Sequence, residues 1–150
     1  MAVVEKSMLV GYSAGKMFDL VNDVEAYKEF LPWCSSVEIL DRDEQTLHAA
    51  LGIDYKGIKQ RFSTRNRNDR PDSDKAGSIS MTLVDGPFRV LDGRWAFKPL
   101  GEGACKIEFS LHYEFSSKLL ERILGPVFSH IANSFADAFV KRAEFLDQSR

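Results

Sequence analysis

Over residues 13–32 the apolar positions fall at helical spacing, over 47–115 they alternate with polar ones, and beyond Lys118 the helical spacing returns. An amphipathic helix repeats its apolar face every 3.6 residues and a half-buried strand every two, so these changes of period divide the chain into elements. A strand is expected over residues 3–10. Ser13 suits the N-cap of a helix that places Met17, Leu20 and Val21 on one face. Asp23 suits a second cap, for a short helical segment carrying Val24, Tyr27 and Leu31 and stopped by Pro32.

The alternating region supplies a sheet. Leu47, Ala49, Leu51, Ile53 and Tyr55 follow the turn-like DRDEQT run, and Ile58 and Phe62 continue the pattern. Ile79, Met81 and Leu83 resume it after residues 66–77, whose polar composition reads as a loop. Residues 88–97 make a further strand, in which Gly93 suits a bulge or bend of the kind that lets a sheet curl. The plainest alternation sets Cys105, Ile107, Phe109, Leu111, Tyr113 and Phe115 against Lys106, Glu108, Ser110, His112 and Glu114, one face dry and the other wet.

After Lys118, Leu120, Leu124, Val127, Ile131, Phe135, Phe139, Arg142 and Leu146 trace one stripe of a long helix. Gly125-Pro126 predicts either a kink or a separate first turn, with Pro126 opening the main helix. A strand, two short helices, about six further strands and one long helix, without alternating strand and helix units, specify the α+β class. The architecture expected is a curved antiparallel sheet of about seven strands around the long C-terminal helix.

Composition narrows the function classes. The 150 residues suit one domain, 1–150, and a chain of this size buries roughly 70% of the surface it exposes when unfolded. A hydrophobic fraction of 44% and a charged fraction of 28% exclude disordered and fibrous classes. The net charge of -2 excludes a surface given over wholly to nucleic acid, and DNA is not an expected partner. Cys34 and Cys105, far apart and without metal-ligand spacing, read as free thiols of a reducing compartment. No segment has the layout of a secretory signal or the roughly 20 apolar residues that span a bilayer, so a cytoplasmic protein is expected, with peripheral attachment at the inner membrane left open.

Catalytic and metal-binding patterns are missing: the chain has no P-loop, dinucleotide fingerprint, nucleophile elbow or zinc-protease helix. His48, His112 and His130 are widely separated and read as surface or boundary residues. Asp41, Asp43 and Glu44 suit a solvated, capped turn, and Asp85 before Gly86-Pro87 suits a turn between strands. The strongest local charge bias is KQRFSTRNRNDR, with Lys59, Arg61, Arg65, Arg67 and Arg70 against Asp69. It fits a solvated outer sheet face, an anionic membrane surface or RNA. Aromatic residues that stack on bases are sparse in it, and Phe62 faces the expected core.

The segments MFDLVNDVEAYKEFLPWC and VDGPFRVLDGRWAF, the strand ending in YEF and the terminal AFVKRAEF together resemble the START-like (SRPBCC, polyketide cyclase/dehydrase) superfamily. Within it they resemble the family of coenzyme Q-binding proteins and ribosome association toxins, over essentially the whole chain. That resemblance implies a helix-grip fold with a hydrophobic cavity between sheet and C-terminal helix and, in respiratory members, binding of ubiquinone by its isoprenoid tail. Lys28 departs from the family's Tyr-Pro-Glu-Phe-Leu-Pro stretch, and Ser134 and Ala136 stand where bulkier apolar residues are expected, which would widen a cavity.

The function expected first is therefore non-catalytic binding of ubiquinone or a related isoprenoid quinone, as a carrier or chaperone in respiration, with no required cofactor and no metal. Apolar walls shelter such a tail at roughly 25 cal/mol per Å² removed from water. The cavity residues expected are Leu31, Trp33, Phe62, Met81, Phe88, Trp95, Phe109, Phe128, Ile131 and Phe135, each of which also suits a plain core. The alternative is a toxin that binds the large ribosomal subunit and blocks subunit joining, served by the basic run. A polyketide cyclase ranks third, because no positioned acid and base pair is evident.

Overall fold

The computed structural model describes residues 2–148. Its strands are β1 (Ala2–Val10), β2 (Cys34–Arg42), β3 (Thr46–Tyr55), β4 (Ile58–Asp69), β5 (Gly77–Asp85), β6 (Phe88–Pro99) and β7 (Cys105–Phe115). Each pairs antiparallel with its neighbours in the order β1-β7-β6-β5-β4-β3-β2. β2 to β7 thus form a meander, and β1 closes onto the far edge. Helix α1 (Ala14–Asn22) and a 3-10 turn (Val24–Glu29) connect β1 to β2, and helix α2 (Lys118–Gln148) ends the chain. The curved sheet holds α2 against its inner face, the α+β architecture expected.

Inner-face side chains of the sheet, among them Phe62 of β4 and Trp95 of β6, meet one stripe of α2. The buried helix positions are Leu124, Phe128, Ile131, Ala132, Ala136, Phe139 and Ala143, so the stripe is rotated from the one read off the largest residues. Three alanines let the helix sit close to the sheet, where aromatic rings fill the remaining space. Trp95 is fully buried, 4.6 Å from the Phe109 ring and 5.3 Å from Phe139, and stacks on Phe97 at 6.0 Å. At the other end of this cluster Phe18 of α1 meets Phe97 edge-on at 5.7 Å. Ser13 caps α1 as expected, its hydroxyl accepting from the Lys16 N–H at 3.1 Å.

Several local readings are corrected. Asp23 makes no side-chain cap; its N–H continues α1 by donating to the Asp19 carbonyl, and the following segment is a 3-10 turn. β2 carries no alternation strong enough to be assigned beforehand, because it is an edge strand with few buried positions and two register shifts. The loop read over residues 66–77 shrinks to 70–76, since β4 runs on to Asp69. Gly93 lies in regular register between Met81 and Leu111, not at a bulge. Its role is close approach: a Cβ there would sit 2.5 Å from Met81 Cε and 3.2 Å from Leu111 Cδ1. Pro126 opens no separate helix, because α2 passes through it unbroken; it removes one N–H on an exposed flank where water can reach the freed carbonyl.

The β5–β6 turn positions the cavity wall. Gly86 adopts φ +150°, and a Cβ would come 2.7 Å from Phe62 Cβ. Gly86→Ala is expected to cost about 1–3 kcal/mol through strain at this position. Chemical denaturation reads the cost, and an unchanged midpoint would show that the turn relaxes freely.

Candidate functional site

Between the sheet and α2 lies an apolar cavity of about 70 Å³. A void needs roughly 10–15 Å³ to hold one water, so this one holds a few, whereas pockets for drug-sized ligands run to roughly 300–1,000 Å³. The hollow implied for an isoprenoid tail is therefore nearly closed in this conformation. A second void of about 10 Å³ continues it toward Pro87 and Val127.

Of the side chains expected to line it, Trp33, Phe62, Met81, Phe109, Phe128, Ile131 and Phe135 do so. Phe88 borders only the smaller void, stacked 5.0 Å from Phe115. Trp95 is a correction: it is sealed behind Phe109 and Phe135, and its Nε1 is buried without a partner among the described residues. Leu31 is another: it is buried under a surface groove between the 3-10 segment and α2, outside the cavity. Trp33 touches both spaces and forms the wall between them. Ser134 faces that groove with its hydroxyl donating to the His130 carbonyl, and buried Ala136 packs elsewhere, so neither enlarges the cavity.

Sequence reasoning missed Tyr27, Leu91, Leu111, Ala132 and, above all, the two polar lining residues Thr64 and Asn66. Both belong to the inner face of β4. The Thr64 hydroxyl donates to Asn66 Oδ1 at 2.9 Å, and Asn66 is only 7% exposed. Two residues on, Asn68 Nδ2 donates to Asn22 Oδ1 of α1 at 2.9 Å. Tyr27 turns its hydroxyl away, donating to the Val21 carbonyl, and burial pushes its phenol far above the usual range. Among the described residues, no Asp, Glu, His, Lys, Arg or Cys lines the cavity.

The basic run is divided by the fold. Lys59, Arg61, Arg65 and Arg67 project from the outer face of β4. Arg61 is neutralised by Glu38 of β2 at 2.6 Å. Arg70 leaves the face altogether: it pairs with Asp19 of α1 and lies 5.6 Å over the Phe18 ring. Arg65 and Arg67 have no carboxylate partner among the described residues, and both are exposed. Arg94 joins them from β6, in the cross-strand row Arg67, Ser80, Arg94, where it donates to Ser80 Oγ at 3.2 Å. The sequence could not have grouped Arg94 with residues so distant along the chain.

Neither thiol is poised for chemistry. Burial pushes Cys105 up to about 11 and is also the largest cause raising Cys34, whose thiol donates to the Ser36 carbonyl. Thiols held protonated are poor nucleophiles. Iodoacetamide is expected to modify Cys34 and Cys105 only as fast as the protein opens, and rapid labelling of the native chain would contradict their burial. Among the described residues no group of three or more His, Cys, Asp or Glu side chains is placed to hold a metal ion, and no helix is long and apolar enough to cross a membrane.

A closed sheet-and-helix grip with an apolar interior matches a known family. The sequence profile described as polyketide cyclase / dehydrase and lipid transport covers residues 10–140. The chain belongs to this family. Among family relatives, a protein of Pseudomonas aeruginosa named ribosome association toxin RatA is 43% identical over 143 residues, spanning 95% of this chain and 96% of that one. Coenzyme Q-binding protein COQ10 homolog B of Xenopus laevis is 26% identical over 142 residues, spanning 92% of this chain and 56% of that protein. The solved structure of a START superfamily protein from Mycobacterium smegmatis superposes with a TM-score of 0.71 at 24% identity, covering 96% and 98% of the two chains. This family's description includes both cyclases and lipid transport, and the START-like, helix-grip fold is common ground.

Proposed function

We propose that this protein associates with the ribosome, with the outer face of β4, β5 and β6 as its contact surface. The observation that carries the reading is the group of exposed arginines on that face, Arg65, Arg67 and Arg94, of which Arg67 and Arg94 share a cross-strand row and Arg65 and Arg67 lack a carboxylate partner among the described residues. Charge left unneutralised in a chain of net charge -2 suits a polyphosphate partner. Relatives bearing the ribosome association name at 41–43% identity over nearly the full chain support it. The nearly closed cavity also favours it over a resident long-tailed lipid. On this reading the protein binds the large subunit and hinders its joining to the small one. Cosedimentation with purified 50S and 30S particles over a range of salt tests it: binding to 50S that weakens steeply with salt is expected, and no binding at low salt removes the reading.

A second reading is favoured by a separate observation, the Thr64–Asn66 pair inside the cavity. Here the chain shelters an apolar ligand, isoprenoid quinones being the class suggested by the coenzyme Q-binding relative, after side chains such as Met81 and Trp33 move aside. Extraction of purified protein followed by mass spectrometry tests this: a quinone or other neutral lipid should be recovered, and repeated failure to recover or titrate one speaks against it. Catalysis of the cyclase kind finds no support in the cavity walls, where among the described residues Tyr27 is the sole acid and its hydroxyl is already engaged.

A further inference from the structure

The cavity has apolar walls and one polar corner, and that corner restricts what can occupy it. A buried polar group keeps its native arrangement only when its hydrogen bonds are met. Asn66 Oδ1 is held by the Thr64 hydroxyl at 2.9 Å, which turns Nδ2 the other way. Neither N–H of Nδ2 meets a protein acceptor among the described residues, although the side chain is more than nine-tenths buried and borders the cavity. The Tyr27 hydroxyl points out to Val21 and does not compete. Among the described residues the cavity therefore presents N–H donors from Asn66 and no charged side chain.

We infer that the cavity takes a neutral, mainly apolar molecule bearing a carbonyl oxygen, and that Asn66 Nδ2 donates to that oxygen. The inference rests on the cavity-ligand reading and sharpens it. Carboxylates are excluded because an ion there would lose its hydration with no opposite charge to replace it. Pure hydrocarbons would leave the Asn66 N–H groups desolvated and unmet. Room for the guest comes from Met81, whose unbranched chain rests on Gly93 and has three rotatable bonds to swing aside.

The test compares 1-indanone with indane, a ketone and a hydrocarbon of the same ring shape, binding to the full chain and to Asn66→Leu. Asn66→Leu is expected to weaken the ketone by roughly fivefold to tenfold and to leave the hydrocarbon within about twofold, the worth of one neutral hydrogen bond. Thr64→Val should weaken the ketone in the same sense, since it frees the amide to rotate. In the unmodified chain, 1-indanone but not indane should shift the Asn66 side-chain amide resonances in ¹H–¹⁵N spectra, a readout that needs no variant to fold. Binding of both probes without dependence on Asn66 and without that shift overturns the inference alone. Binding of neither overturns the cavity reading together with the inference.

Discussion

Replacing Arg65 and Arg67 together by glutamate is expected to remove most of the salt-sensitive binding to large ribosomal subunits. Each phosphate contact contributes roughly 0.7–0.9 to the slope of log K against log salt, so losing two lowers the slope by about 1.5. Reversal adds repulsion, and at 50 mM salt the affinity should fall by at least about tenfold. Both side chains stand on the exposed face of β4, so the fold should persist. The internal controls come from the same run of sequence. Arg61, already neutralised by Glu38, should matter less, and Arg70→Ala should loosen the α1 contact to Asp19 without touching ribosome binding. Sedimentation unchanged in the double variant at every salt concentration would reassign the contact to another surface.

Trp95→Ala should be the most destabilising single truncation. The ring has no exposed surface and touches Phe97, Phe109, Phe135 and Phe139, so its removal opens a void between sheet and helix. Large aromatic truncations in cores cost about 3–5 kcal/mol, which for a chain of this length lowers Tm by roughly 6–20 °C. Calorimetry reads the change directly. A variant that kept its Tm but lost ligand binding would instead return Trp95 to the cavity wall. The buried Nε1 without a partner adds a second question: Trp95→Phe removes that unmet donor and should cost less than the alanine.

Legibility in the sequence followed burial. β7 was plain because every second residue from Cys105 to Phe115 is buried, and α1 because Ser13 makes the cap its position suggests. β2 was not, since an edge strand with an exposed outer half has little apolar face to advertise. The end of β4 departs from the strand pattern for a physical reason. Thr64, Asn66 and Asn68 point inward, so polar residues occupy the positions where apolar ones would have signalled a strand, and the run resembled a loop. That departure from pattern coincides with the polar corner of the cavity, where local rules give way to a site. Trp95 was misplaced because its size and apolar character suit a core and a ligand wall equally well; only its neighbours distinguish the two.

Period and composition by themselves determined the α+β class, the antiparallel sheet, the long final helix and the apolar character of the space between them. They could do so because alternation and helical spacing record which side of an element is dry, and that is a local property. Only the tertiary structure decided how much of that space stays open, that Asn66 faces it, and that Arg94 stands with Arg65 and Arg67 while Arg70 does not. These depend on strand register and on the approach of α2 to the sheet, which bring together residues far apart in the chain, and such distances leave no trace in local periodicity.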